Sequence, residues 1–213
     1  MKSGARVAAA IEIWEQLEAA QSGGSRTPAD AVFGKYFRER RFIGSKDRRE
    51  ISRQLYGTLR NERPLEWRLK TGDLEPTPRH LALAALVFLD GLGGEEIGEL
   101  FSGDTYCPEP LSADEQEWVV AQGGMDLLDD SIPLPVRWNY PDWLEAEVGE
   151  LFDGRLAGAM NAEAPVDLRV NTLKVTREQA RIALAEEGLK AEPMERSAIG
   201  LRLRQRSVLP ATQ

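Results

Sequence analysis

The stretch 42-FIGSKDRREISRQLYGTLR-60 places Lys46, Arg48, Arg49, Arg53 and Arg60 close together in a chain whose formal net charge is −8. Gly44-Ser45 breaks the preceding run, and the residues from Lys46 onward read as a helix. At ~100° per residue with Ile51 at zero, Leu55 falls at ~40°, Leu59 at ~80° and Thr58 at ~340°. That sector is the buried one. Arg49 falls at ~160°, Arg60 at ~180°, Arg53 at ~200° and Lys46 at ~220°, so four cations share the opposite stripe. Arg48, at ~60°, and Asp47, at ~320°, flank the apolar sector and are expected to hold neighbouring helices through charge-assisted hydrogen bonds. Two readings of the outer stripe stand side by side. Charged residues opposite an apolar face are what any surface helix shows. Guanidinium forks spread over about 16 Å of one face also suit the phosphates of a nucleic acid.

Working outward, the chain up to residue 130 reads as helices. Val7, Ala10, Ile11, Trp14 and Leu17 recur at helical spacing, and Ser22-Gly23-Gly24-Ser25 ends that run. Thr27-Pro28 reads as a start signal with Thr27 as cap, ahead of Val32, Phe33, Tyr36 and Phe37. The spacing of Tyr36 and Phe37 points to core packing rather than to base stacking. Pro64 opens a short helix around Leu65 to Leu69. Thr77-Pro78 precedes LALAALVFL, which is apolar on nearly every face and so reads as a central helix. Ile97, Leu100 and Phe101 suit a short helix, and Ser112-x-x-Glu115 is a capping box ahead of Trp118 and Val119.

From about Met125 the composition changes. DLLDDSIPLPVRWNYP mixes acids with prolines as a linker does. Pro141 starts an amphipathic helix with Leu144, Val148, Leu151 and Phe152 on one side, and Leu156 to Met160 form another short one. After Pro165, VDLRVNTLK alternates like a strand. Thr176-x-x-Gln179 caps a helix that Gly188 ends, and residues 189–194 and 199–203 read as two further strands. The fold class is therefore mainly α, a helical bundle followed by a small, incomplete α/β (β-α-β-β) subdomain. Three parts are expected: 1–130 helical, 131–165 a linker with amphipathic helices, and 166–213 α/β.

Charge is unevenly divided. Residues 1–70 carry +6, residues 71–165 carry −17 and the remainder +3. A basic segment joined to an acidic one fits a polyanion partner on the basic side. The longest apolar run, Leu81 to Leu89, is far too short to span a membrane, and Glu12 and Glu15 interrupt the N-terminal apolar run that a signal peptide would need. One cysteine excludes an internal disulfide framework and suits the reducing cytoplasm.

No catalytic constellation is present in the sequence. His80 is the one histidine and reads as structural. Cys107, in YCPEP, has no matched base. Glu95, Glu96 and Glu99, like Asp126, Asp129 and Asp130, read as solvated acids and match no calcium loop. GLGGEEIG lacks the spacing of a dinucleotide loop and follows a helix.

The order of these features carries a resemblance. TPADAVFGKYFRERRFIGSKDRREISRQLYGTLR, followed by LALAALVFLDGL, resembles the NusB-like helical domain. YPDWLEAEVGELF and NAEAPVDLRVNTLKVTREQARIALAEEGLKAEP resemble the region that joins that domain to the catalytic part of Sun/Fmu-type (RsmB-like) ribosomal RNA cytosine-5 methyltransferases. The resemblance implies an S-adenosylmethionine-dependent parent enzyme in which a cysteine thiolate adds to the base and activates C5 for methyl transfer. The family's Pro-Cys and Thr-Cys motifs and its glycine-rich cofactor loop do not occur here, so no catalytic, cofactor or metal residue is carried over. The chain resembles the N-terminal portion of such an enzyme, by truncation or from a split gene, and is expected to be inactive alone. Lys35, Arg38, Arg40, Arg41, Lys46, Arg49, Arg53 and Arg60 are the expected RNA-binding residues, with ribosomal RNA as partner, the cytoplasm as location, no membrane contact, and an intramolecular contact with the methyltransferase domain. Arg169 and Asn171 are expected to fix local structure or to pack on that domain. The alternatives are a free-standing NusB-like RNA- or protein-binding factor in transcription or ribosome biogenesis, and a protein-docking module.

Overall fold

A computed structural model describes residues 1–22, 24, 27–148, 150 and 154–205. The chain divides into two compact units, Met1–Asn161 and one from Ala162 onward. The regular elements among the first unit's described residues are all helical. Helices α1 (Ser3–Gln21), α2 (Ala29–Glu39), α3 (Ser45–Arg60), α4 (Glu62–Thr71), α5 (Pro78–Phe88), α6 (Gly94–Leu100) and α7 (Ala113–Gln122) follow in order.

Helix α5 is the centre. Thr77 caps it by accepting the His80 backbone N–H at 3.2 Å, and Pro78 fills the first turn without losing a needed donor. Leu81, Ala82, Leu83, Ala84, Ala85 and Leu86 are all buried, so every side of the helix is enclosed. Helices α1, α3 and α4 pack on it. Ile13, Ile51, Leu65, Leu69 and Leu83 are fully buried around it. Helix α1 reaches the chain around α6 only because residue 4 is glycine. A Cβ there would lie 2.5 Å from the Leu100 carbonyl oxygen and 2.8 Å from the Cys107 sulfur.

Two polar clamps complete the bundle. Glu115 caps α7 by accepting the Ser112 backbone N–H at 2.8 Å, and it also receives the Arg79 guanidinium at 2.7 and 3.0 Å. Burial pushes the Glu115 carboxyl up, but Arg79, the Ser112 N–H and the nearby His80 outweigh burial and hold it below the ordinary value. Arg68 is 6% exposed. Its guanidinium donates to the Asp126 carbonyl at 2.6 Å, the Leu127 carbonyl at 3.1 Å and the Asp129 carboxylate at 2.6 Å. One side chain thus fixes the acidic loop after α7 to α4.

The structure differs from the sequence reading at four places. Helix α2 starts at Ala29 with Pro28, rather than Thr27, in the cap position. The stretch read as linker contains α8 (Leu134–Arg137), with Ile132 and Tyr140 buried. Asn139, at φ 57°, donates to the Leu59 and Arg60 carbonyls while its own oxygen accepts the Arg63 N–H at 3.1 Å. Arg63 also donates to the Tyr140 carbonyl and to Asp142. The segment therefore belongs to the first unit, which runs to Asn161. The helix expected after Pro141 is a 3₁₀ turn, Asp142–Leu144, leading into α9 (Glu145–Val148). Leu151 and Phe152, assigned to its apolar side, lie outside the described residues, and α10 (Gly154–Asn161) follows.

The second unit is β-α-β-β: β1 (Asp167–Arg169), α11 (Arg177–Glu186), β2 (Ala191–Pro193) and β3 (Gly200–Leu203). The sheet order is β1-β3-β2, antiparallel throughout, with Leu168 opposite Leu201 and Ala191 opposite Leu203. Val170, Ala191, Leu201 and Leu203 form its small core with Ala180 and Leu184 of α11. On the wet face Asp167 and Arg202 form a two-pronged pair at 2.7 and 2.8 Å. The strand expected over 166–174 stops early. The Asn171 side chain accepts the Leu173 N–H and its carbonyl accepts the Lys174 N–H, so the backbone is spent on a turn. Among the described residues, no helix is long and apolar enough to cross a membrane.

Arg68→Ala leaves the part-buried Asp126 and Leu127 carbonyls and Asp129 without their donor and empties a buried position, and should lower stability by about 2 kcal/mol in chemical denaturation. An unchanged midpoint would refute the clamp. The Ser131 hydroxyl first, and Arg68 second, hold the Asp129 carboxyl at about 2, below its ordinary 3.8. A depressed carboxyl stabilises the fold above the unfolded value. Its contribution should be lost as the pH falls from about 4 to about 2, and Asp129→Asn should flatten unfolding curves in that window.

Candidate nucleic-acid interface

The amphipathic division of α3 is as the helical phase requires. Ile51, Gln54, Leu55 and Thr58 are buried, whereas Lys46, Arg49 and Arg53 are exposed and Arg60 is half-buried. Asp47 and Arg48 take structural positions. Asp47 accepts the Arg6 guanidinium at 3.2 Å and the Met1 amino group at 3.1 Å, joining α3 to α1, and these donors hold its carboxyl below the ordinary value. Arg48, expected to bridge helices, does so without a charged partner. Its Nε donates to the Ile43 carbonyl at 2.7 Å, and its guanidinium lies 5.8 Å from the centre of the Phe37 ring. It ties the connecting loop and α2 to α3.

The eight expected contact residues divide by what they already hold. Arg53 donates to Asp90 at 2.8 Å and to Glu50 at 2.7 Å. Arg40 donates to Glu12 and lies 3.8 Å from the centre of the Tyr36 ring. Lys35 reaches Glu39 at 4.0 Å in an exposed pair that counts for little. Arg38, Arg41, Lys46, Arg49 and Arg60 make no ion pair or hydrogen bond through their charged groups among the described residues. Five cations are thus available without breaking an internal contact. Three of the five lie on the outer face of α3, and two lie at the end of α2 and in the loop after it.

A groove of about 970 Å³ is lined by Ala5, Ala9, Tyr36, Phe42, Tyr106 and Cys107, with Lys2 and Arg40 as its cationic side chains, and of the five free cations Arg41 adjoins its Phe42 in sequence. Tyr36 donates to Glu12 at 2.7 Å, and burial above all, then this bond and the Glu12 charge, push its phenol well above the ordinary value. Phe42 is 79% exposed and Tyr106 83%. Sequence reading passes over both rings. Phe42 lies between Arg41 and Ile43, outside any helical repeat, and Tyr106 lies in a turn. The available signal is their lack of apolar neighbours at helical spacing.

Other candidates resolve as structural. His80 Nδ1 meets the Glu75 carbonyl at 2.6 Å and its Nε2 lies 3.2 Å from Glu115, within the α5–α7 clamp. Cys107 lies against Gly4, and among the described residues no ionisable partner is placed on its thiol. Among the described residues, no group of three acidic, histidine or cysteine side chains is arranged to hold a metal ion.

Residues 140–209 match the family model described as "Methyltr_RsmF/B-like, ferredoxin-like domain". The chain carries an RsmF/B-like segment. The chain also shares its fold with the crystal structure of PH0851, at a TM-score of 0.52 and 15% sequence identity over 96% of this chain. It spans about half of that protein, 49% of its length. No curated protein matches the chain. Within the RsmF/B-like segment, Asn171 has the local role expected of it, because both its side chain and its carbonyl close the turn after β1.

Two of the four tyrosines should resist ionisation. Burial first, and the bond to Glu145 second, raise Tyr140 to about 12, and Tyr36 is raised as well. The unfolded chain releases these protons more readily. Stability should therefore fall as the pH rises from about 10 towards 12, and an ultraviolet titration of the folded protein should show a late-ionising component that Tyr36→Phe and Tyr140→Phe each diminish. Four phenols titrating together near 10 would refute the Tyr36–Glu12–Arg40 network.

Proposed function

We propose that this chain is the RNA-recognition region of an S-adenosylmethionine-dependent ribosomal RNA (cytosine-5) methyltransferase. The observation that carries the reading is the combination of an RsmF/B-like segment with a helical unit whose α2–α3 face leaves five cations unpaired among the described residues. In this reading Arg38, Arg41, Lys46, Arg49 and Arg60 hold phosphates. Their guanidinium and ammonium groups need no prior release from a carboxylate, so contact costs only side-chain ordering and displaced counterions. Arg40 and Arg53, included in the sequence-derived set, shape the surface and contribute little net charge. Arg53 would have to leave Asp90 and Glu50 to meet a phosphate.

The described residues do not suit S-adenosylmethionine. Gly91, Gly93 and Gly94 connect α5 to α6, an α–α corner rather than a strand-to-helix turn. Among the described residues, the sheet of the second unit is antiparallel, with three strands. The methyl donor and the thiolate chemistry are assigned to the parent enzyme's catalytic domain, and the intramolecular partner of this chain is that domain.

The test is RNA affinity by fluorescence anisotropy at several salt concentrations. Lys46→Glu/Arg49→Glu/Arg60→Glu should abolish measurable binding at moderate salt while leaving the melting temperature nearly unchanged. Neutralising the same three positions with Gln should flatten the slope of log K against log salt by about 2. Arg53→Gln, by contrast, should change affinity little. Unchanged affinity in the triple Glu variant would sink the assigned face.

A further inference from the structure

The groove between Phe42 and Tyr106 has no use in the bundle's packing. Phe42 leaves most of its ring in water, shortly after the end of α2 and next to the free cation Arg41. Tyr106 is held at φ 70°, a conformation that a bulky residue adopts at a cost. Its turn is fixed by the Cys107 N–H on the Asp104 carbonyl at 2.8 Å and the Gly103 N–H on the Pro108 carbonyl at 2.9 Å. The backbone therefore presents the ring to solvent in a defined place. We propose that this groove takes unstacked bases of a single-stranded RNA, with Phe42 and Tyr106 as stacking faces and with Arg38, Arg41 and Lys46 along the path of the RNA backbone. The proposal rests on the RNA-binding reading above and names the form of RNA.

Charge complementarity selects this occupant. The carboxylate that lines the groove, Glu12, is already held by Tyr36 and Arg40. No unpaired acid among the described lining residues repels a phosphate. Arg41, which precedes Phe42, makes no ion pair among the described residues, whereas Arg40 is held by Glu12 and the Tyr36 ring. An apolar protein segment would cover the rings but leave Arg41 without a counterpart. A duplex keeps its bases stacked on each other and offers no base face to an aromatic ring. A single strand supplies both parts, base faces for the rings and phosphates for the cations, and the space of about 970 Å³ admits more than one base.

The test uses the 213-residue chain and two labelled probes, a single-stranded RNA 12-mer of mixed sequence and a hairpin of the same composition. Phe42→Ala/Tyr106→Asn removes both rings, and Asn tolerates the positive φ. The double variant should bind the single strand at least about tenfold more weakly with an unchanged salt slope. Phe42→Trp should retain wild-type affinity. Equal affinity of the double variant and wild type for the single strand would overturn the stacking assignment and leave the groove as a surface for an apolar protein segment, with the RNA reading intact. Hairpin binding as tight as single-strand binding would also overturn it. A wild-type chain that binds neither probe would refute the RNA reading itself.

Discussion

A helix with no polar side has to be enclosed. Leu81 to Leu86 present apolar surface in every direction around α5, and each buried methylene contributes about 0.8 kcal/mol only if water is kept out. Helices α1, α3 and α4 provide the enclosure. Helix α3 can do so with one face alone, the face of Ile51, Leu55 and Thr58. The cations on its other side are then forced outward. The position of the basic face thus follows from the need to cover a different helix.

Burial also decides which charges are spent. Arg68 and Glu115 lie inside the bundle and are fully engaged, as buried ions must be. Arg40 and Arg53 lie at the surface but within reach of Glu12 and Asp90, which belong to other helices or to their connections. The cations left over are those that make no ion pair among the described residues. A basic patch on a chain of net charge −8 persists because its acids are concentrated elsewhere, with Glu95, Glu96, Glu99, Asp114 and Glu117 exposed on α6 and α7. Separation of sign within one unit gives a directional field that net charge conceals.

The second unit is built on different terms. Its three short strands and one helix enclose a core of only Val170, Ala191, Leu201, Leu203 and their few apolar neighbours, a small area for an independent unit. Capping at Thr176 and the Asp167–Arg202 pair add local definition. The match to an RsmF/B-like ferredoxin-like domain spans this unit and the end of the helical one, and the chain covers about half of PH0851.

The order of elements was legible in the sequence because their signals are local. Thr77-Pro78, Ser112-x-x-Glu115 and Thr176-x-x-Gln179 each set a helix start through bonds between near neighbours, and the structure contains all three caps. The buried side of α3 was legible for the same reason, since periodicity is a property of one helix. What tertiary structure decided is every question of which distant groups meet. Arg53 finds Asp90, 37 positions away, and Arg40 finds Glu12, 28 away, so two residues that pattern alone could not distinguish from Arg49 are neutralised. Phe42 and Tyr106, far apart in sequence, face one groove only because Gly4 lets α1 approach the loop that carries Tyr106. Local chemistry determines where helices begin and which side is apolar, and the packing of those sides alone determines which charges remain free.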